Sequence, residues 1–427
     1  MFRTETEALQ YIHTRTRFGS QKSLDRIRAL MKALGDPQKQ LKFVHVAGTN
    51  GKGSVSTMTA EIAKESGYRV GLYTSPYLVR FTERFRVNGE QMPGDKLAEL
   101  ANRVKAAADG LLNEGMECTE FEIVTAIGFC WFAEEKCDLV VLEVGLGGRL
   151  DATNVIDTPL CAAIVPVSLD HTAILGNTVE QIAAEKGGII KTGGTVVCAA
   201  DQPDEAVSVL EAICQERGAR LVKTEKQAVE CIETGLSGTV VRYKGETYRL
   251  AMGGAHQAYN ASCVLEIVGV LRENGFALLE EAVKAALKKA RIHGRLEMLR
   301  EKPMLIVDGA HNPAASAVLR EAIKKLPVKR RIAVMAVMED KDFTAVVADI
   351  AGVCDAVVCC AVPDMPRSCK AQKLAEVVRG CGTAAEAADS IDEALEKAQE
   401  IAGEDGAVIV CGSLYLVGTV CGKVGVE

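Results

Sequence analysis

The chain has 427 residues, 48% of them hydrophobic and 25% charged, with a net charge of −7. That length is enough for two or three domains with separate cores. The acidic balance excludes a general basic surface for nucleic acid, so an anionic ligand must find its positive charge locally.

The opening stretch MFRTETEALQYIHTRTRFG has no apolar signal core. The first clear element is KFVHVA, a short β-branched run of the kind found in buried parallel strands. GTNGKGS follows, and then the helical period SVSTMTAEIAKESG. Strand, glycine loop and helix together form the setting in which backbone N–H groups at a helix N-terminus hold phosphate oxygens. The match to G-x-x-x-x-G-K-S/T is imperfect, because Gly53 stands between Lys52 and Ser54 and Val46 occupies the first glycine's place. Lys52 would reach the outer phosphates, and Gly51 and Gly53 would let the backbone come close.

DLVVLEVG is the next buried strand, and Glu143 at its end stands where a carboxylate commonly holds magnesium near phosphates. A second glycine loop, GLGGRLDATN, comes after it. The strand CAAIVPVS leads into SLDHTAILG, which brings Asp170 and His171 to the same sheet edge. A core histidine satisfied by Asp170 is the plain reading of that pair. In TVEQIAAEKGGIIK, Thr178 and Gln181 form a capping box, and Lys186 reads on its own as a snorkelling lysine.

GTVVCAA continues the strand series, and residues 220–255 alternate polar and apolar like a small antiparallel excursion. RIHGRLE marks a seam, and a new strand–helix series starts at PMLIVDGAHNP, with AVLREAIKKL as a helix and RIAVMAV, DAVVCCAV and AVIVCGS as strands. The fold expected is α/β. Residues 1–292 form an ATP-binding domain with a mainly parallel sheet. Residues 293–297 form a hinge, and residues 298–427 form a smaller α/β, Rossmann-like domain. The uncharged run from Gly406 to Gly422 is broken by Gly412, Ser413 and Gly418, and reads as strand, turn and helix start, not as a membrane span. Fifteen cysteines without a C-x-x-C pair or secretion signal read as reduced, mostly buried thiols of a monomeric cytoplasmic protein.

Several motifs occur in one order: GTNGKGS, TSPYLVRFTERFRVNG, FE at Phe121–Glu122, EVGLGGRLDATN, SLDHTAILG, EKGGIIK, HQAYNA, HGRLE, DGAHNP, DKD at 340–342 and CGSLYLVG. Together they resemble folylpolyglutamate synthase, including its bifunctional dihydrofolate synthase form, within the wider group of peptidoglycan-precursor amide ligases. The likeness runs from about Ser23 to the C-terminus. It implies ATP-dependent addition of glutamate to the γ-carboxylate of a folate through an acyl phosphate, with dihydropteroate as a second acceptor. It also implies two magnesium ions, with potassium as a further candidate cation. The family's own loop resembles GTNGKGS, so the displaced hydroxyl belongs to a variant nucleotide loop.

Carried over to this chain, Asn50, Gly51, Lys52, Gly53 and Ser54 would cradle the triphosphate, and Asn260 (with Gln257 nearby), Arg295 and Asp308 would make further ATP contacts. Ser75, Glu143 and His171 would be metal ligands, with Lys186 as a carbamate. Lys52, Lys186 and His171 are the implied catalytic residues. Carbon dioxide adds only to a neutral amine, which burial can supply. Arg26, Phe121, Glu122 and Asp151, with Arg80 and Arg84, are the folate candidates; Arg84 and Arg86 read equally well as the solvated side of a hairpin. His311 and Ser413 would serve the glutamate pocket, while the local readings are a helix cap at Asn312–Pro313 and a turn at Gly412–Ser413. Tyr77, Pro166 and the first glycine of KGG depart from the family's common residues without touching an assigned ligand.

A peptidoglycan-precursor ligase is the nearest rival, but the phosphate loop begins by residue 48 and leaves no room for the usual extra N-terminal domain. A non-catalytic nucleotide-binding regulator is the rival from another class; the presence of Lys52, Glu143, His171 and Lys186 argues against it.

Overall fold

The computed structural model describes residues 1–16, 23–339 and 343–425. The DKD motif at 340–342 therefore lies outside the described residues. Eight strands form the first sheet: β1 (Phe43–Ala47), β2 (Val70–Tyr73), β3 (Phe85–Val87), β4 (Glu90–Gln91), β5 (Leu139–Glu143), β6 (Cys161–Ile164), β7 (Thr195–Cys198) and β8 (Arg220–Lys223). Their order is β4-β3-β2-β5-β1-β6-β7-β8. All neighbours run parallel except at β3 and β4. Both faces are covered at the centre of the sheet, which is why β2, β5, β1 and β6 are buried along their whole length. Val44 and Val46 share a core with Met58, Ile62, Val264 and Ile267. Phe43 points the other way and meets Phe129 edge-on at 5.7 Å.

The expected antiparallel excursion over 220–255 needs correcting at its start. Arg220–Lys223 is instead a parallel edge strand beside β7. Leu221 and Val222, on opposite faces, pack against different cores, so the strand is held on both sides. The excursion proper is a separate sheet of β9 (Val229–Gly235), β10 (Gly238–Tyr243) and β11 (Glu246–Leu250).

The C-terminal sheet has six strands: β12 (Glu297–Glu301), β13 (Met304–Val307), β14 (Arg331–Met335), β15 (Ala356–Cys359), β16 (Ala384–Ala387) and β17 (Ala407–Cys411). The order is β12-β13-β17-β14-β15-β16, and only β12 is antiparallel. The run from Gly406 is β17 followed by the helix Leu414–Lys423, as its glycines suggested. Every cysteine is a free thiol, and only Cys231 and Cys381 are exposed. Among the described residues, no helix is long and apolar enough to cross a membrane.

Candidate active site

A cleft of about 1370 Å³ opens at the C-terminal ends of the parallel strands and is lined from both lobes. That is where ligands bind in open α/β sheets. β1 runs into the turn at residues 48–51, and the helix Lys52–Glu65 leaves it. Gly51 has φ +94°, and a Cβ there would stand 2.6 Å from Asn260 Oδ1, so the turn requires glycine on both counts. Lys52 Nζ donates to the carbonyls of Gly48 and Thr49, each at 3.2 Å. Burial pulls its amine below the usual lysine range, and Glu143 partly offsets this.

The displaced Ser54 has a structural account. One residue later on a helix is about 100° further round its axis. The Ser54 hydroxyl accordingly turns inward and accepts from Gln257 Nε2 at 3.3 Å. Gln257 Oε1 in turn accepts from Asn260 Nδ2 at 2.9 Å. HQAYNA thus buttresses the nucleotide loop from beneath.

Glu143 is 4% exposed and accepts from the Ser75 amide at 3.4 Å. Burial raises its carboxyl to about 7, against the pull of Lys52. Lys186 is equally buried, which overturns the snorkelling reading. Its Nζ donates to the Gly48 carbonyl at 2.7 Å, and burial lowers its amine to about 7. The capping box before it is only half formed. Thr178 accepts from the Gln181 amide, but the Gln181 side chain accepts from Asn177 N–H at 2.7 Å.

His171 is not a core histidine. Its side chain is 43% exposed and its Nε2 lies 3.8 Å from Asp170 Oδ1. Asp170 reaches further than its neighbour. Its Oδ2 accepts from Asn312 Nδ2 at 3.2 Å and lies 3.9 Å from His311 Nε2, both in the C-terminal lobe. Sequence reasoning treated Asp170 only as a partner for His171, and Asn312 only as a cap. The one available signal was an acid at the mouth of a strand.

The C-terminal lobe contributes Arg295, Asp308, His311 and Ser413 to the cleft. Asp308 accepts from the amides of Leu296 and Ala310, both at 2.8 Å, and so fixes the junction after the seam. Burial raises its carboxyl, and Arg295 offsets part of that. His311 Nδ1 donates to the Gly309 carbonyl at 2.8 Å, leaving Nε2 as the nitrogen facing the cleft. Asn312 caps the helix Pro313–Lys324, and Ser413 caps the final helix. The local cap readings therefore hold alongside the cleft position.

On the far wing, Arg26 Nε donates to Glu122 Oε2 at 3.2 Å. The same oxygen accepts from the Thr119 amide at 2.8 Å, so Glu122 is occupied as a helix cap. Phe121 stands against Gly145, where a Cβ would lie 2.4 Å from its ring. Both oxygens of Asp151 are engaged, with Thr153 and with the Leu146 amide. Arg84 lines the cleft and stacks on Tyr77 and Phe81, which removes the solvated reading for it. Arg80 is exposed and is not among the residues lining the cleft.

Residues 46–268 match the Mur ligase middle domain, and residues 294–414 match the Mur ligase glutamate ligase domain. The chain belongs to the Mur ligase family. Within that family it is similar over its whole length to dihydrofolate synthase/folylpolyglutamate synthase of Bacillus subtilis, at 35% identity over 98% of each chain. It is 32% identical to folylpolyglutamate synthase of Lacticaseibacillus casei over 97% of each. Among solved structures, Mycobacterium tuberculosis folylpolyglutamate synthase complexed with ADP and AMPPCP superposes with a TM-score of 0.90, at 29% identity and 99% coverage of both chains. Escherichia coli FolC in complex with DHPP and ADP gives 0.86, at 31% identity, covering 99% of this chain and 97% of that one. This Mur ligase is an ATP-dependent enzyme of the folylpolyglutamate and dihydrofolate synthase branch.

Proposed function

We propose that the protein adds L-glutamate to the γ-carboxylate of a tetrahydrofolate at the expense of ATP. The observation that carries this is the convergence in one cleft of Lys52, Glu143 and Lys186 from one lobe with Arg295 and His311 from the other. An acceptor carboxylate oxygen attacks the γ-phosphorus, giving an acyl phosphate and ADP. The glutamate amine then attacks the acyl carbon, and phosphate leaves. Both reactants are anions, so their approach needs fixed positive charge. Lys52 supplies it at the outer phosphates and Arg295 at the nucleotide's far side. His311 and Ser413 hold the incoming glutamate, and Arg26, Phe121, Glu122 and Asp151 wall the acceptor.

The donor set fits magnesium. Glu143 is a buried carboxylate whose raised titration marks it as short of compensating charge. Among the described residues no three His, Cys, Asp or Glu side chains gather into a metal cage. Magnesium rarely needs one, since it takes few protein ligands and fills its shell with phosphate and water. Ser75, Glu143 and His171 would hold one ion, and Lys186 as a carbamate a second. When bound, the metal would neutralise phosphate charge as it develops. A neutral Lys186 amine is the form that takes up carbon dioxide, with release of one proton.

Residues 1–292 and 298–427 act as two lobes about the 293–297 hinge, and closure keeps water from the acyl phosphate. A second reading, glutamate addition to dihydropteroate, is favoured by the Bacillus subtilis relative, which is named for both activities. The test is ADP release by purified protein with magnesium and ATP, offering tetrahydrofolate or dihydropteroate. Release should require both an acceptor and glutamate. ATP binding without coupled turnover would leave a regulator, not a ligase.

A further inference from the structure

His45 is an expensive residue for its position. It sits at the centre of β1 between Val44 and Val46, is 0% exposed, and leaves its Nδ1 buried without a partner among the described residues. Burial, reinforced by nearby Lys191, lowers its titration to about 3, so the ring is neutral. A valine would satisfy this strand without any orphaned nitrogen. What the imidazole adds is one directed proton. Its Nε2 lies 2.9 Å from Thr153 Oγ1. Thr153 has a single hydroxyl proton and gives it to Asp151 Oδ1 at 2.5 Å. Oγ1 can then only accept from His45, which sets the Nε2–H tautomer. Asp151 Oδ1 also accepts from the Thr153 amide at 3.0 Å, while Oδ2 accepts from the Leu146 amide at 2.8 Å.

The chain of bonds ends at the loop Gly145–Gly148, which is wedged between two parts of the site. A Cβ on Gly145 would meet the Phe121 ring, and one on Gly148 would stand 2.9 Å from the carbonyl oxygens of Glu185 and Lys186. Small shifts of this loop therefore reach Phe121 on one side and the Lys186 turn on the other.

We propose that His45 is a positioning residue for the acceptor wall, acting through Thr153 and Asp151 to hold the Gly145–Gly148 loop against Phe121. This rests on the reading of Asp151 and Phe121 as part of the folate pocket. Without the His45 proton donor, the Thr153 hydroxyl loses one of its two fixed partners and can leave Asp151 for another rotamer.

Steady-state kinetics on the full chain test this. His45→Leu and Thr153→Val should each raise the KM for tetrahydrofolate about tenfold and leave the KM for ATP within about twofold, as expected for loss of one buried hydrogen bond on the acceptor side. His45→Gln, which keeps a donor, and Thr153→Ser, which keeps the hydroxyl, should stay near the parent. The His45→Leu/Thr153→Val double variant should be no worse than either single. If both KM values rise together in step with a fall in Tm, or folded His45→Gln is as poor as His45→Leu, the proposal is overturned. If His45→Leu does not fold, the Thr153→Val and Thr153→Ser pair decides by the same criterion. Asp151→Asn separates the two ideas: an unchanged tetrahydrofolate KM there removes the acceptor-wall reading and this proposal with it. A raised KM there, with Thr153→Val unchanged, removes this proposal alone.

Discussion

Asn50 of the nucleotide loop and Asn312 of the C-terminal lobe exchange two side-chain hydrogen bonds. Asn50 Nδ2 donates to Asn312 Oδ1 at 3.3 Å, and Asn312 Nδ2 donates back to Asn50 Oδ1 at 3.1 Å. Asn312 Oδ1 also accepts from Ala315 N–H as the helix cap, so one amide serves a helix end and a lobe contact. Asn312→Ser keeps a cap and loses the reach to Asn50. Its Tm should match the parent while its KM for ATP rises. Asn312→Ala should lose about 1 kcal/mol of stability in addition. Equal Tm losses in the two variants would place the stability in the lobe contact and not in the cap, and an unchanged KM for ATP in Asn312→Ser would show that the contact has no role in nucleotide binding.

Lys52→Ala should lower kcat by about two to three orders of magnitude, the scale for removing a principal transition-state charge contact. Lys52 Nζ bonds the carbonyls of its own loop, at Gly48 and Thr49, so the variant should fold. A near-normal rate would remove Lys52 from the mechanism.

Lys186 trades stability for function. Its titration falls from 10.5 to about 7 in the fold. Between those values the unfolded chain binds a proton that the native state does not, so native stability rises with pH across this window and is least below about 7. Lys186→Met removes that burden. Its urea midpoint should exceed the parent's at pH 6, with the gap closing towards pH 10, while ADP release is abolished. A midpoint below the parent's at pH 6 would contradict the burial argument.

Gly418 lies in the helix Leu414–Lys423, and a Cβ there would stand 2.0 Å from the Leu78 carbonyl oxygen across the lobe contact. Helix propensity alone makes Gly→Ala stabilising by about 1 kcal/mol. The clash predicts the opposite for function. Gly418→Ala should lower activity by forcing the final helix off residues 78–79, with a widened lobe separation by small-angle scattering. Unchanged scattering and full activity would refute it.

Acid should destabilise the protein through two buried imidazoles. His45 and His256 are lowered from 6.5 to about 3 and about 4 by burial. The unfolded chain takes these protons first, so their contribution is complete above pH 6.5 and is lost as pH falls through that window. The urea midpoint should drop between pH 7 and pH 5. His256→Asn, which does not titrate there, should flatten the slope.

The strand runs KFVHVA, DLVVLEVG, CAAIVPVS, GTVVCAA, PMLIVDG, RIAVMAV, DAVVCCAV and AVIVCGS all contain strands, because a parallel strand buried on both faces is apolar along its length. β2 and β8 escaped notice for two different reasons. VGLY is short and carries a glycine, and RLVK is an edge strand with charged ends. Gln181 turned to Asn177 because a three-residue spacing permits a capping box without deciding which amide the second side chain takes.

Local order in the chain thus determined the long apolar strands, the helices between them and the two glycine loops, since periodicity of burial and freedom at φ are properties of neighbouring residues. It also marked Lys52, Glu143, Lys186 and His311 as cleft residues through the motifs that hold them. The contacts that join the two walls of the cleft were decided only when the lobes met. Asn50 and Asn312 are 262 positions apart, and Asp170 and Asn312 142. Side-chain hydrogen bonds act over about 3 Å, so no pattern read along the backbone specifies pairs that only the packing of two separate sheets brings within that distance.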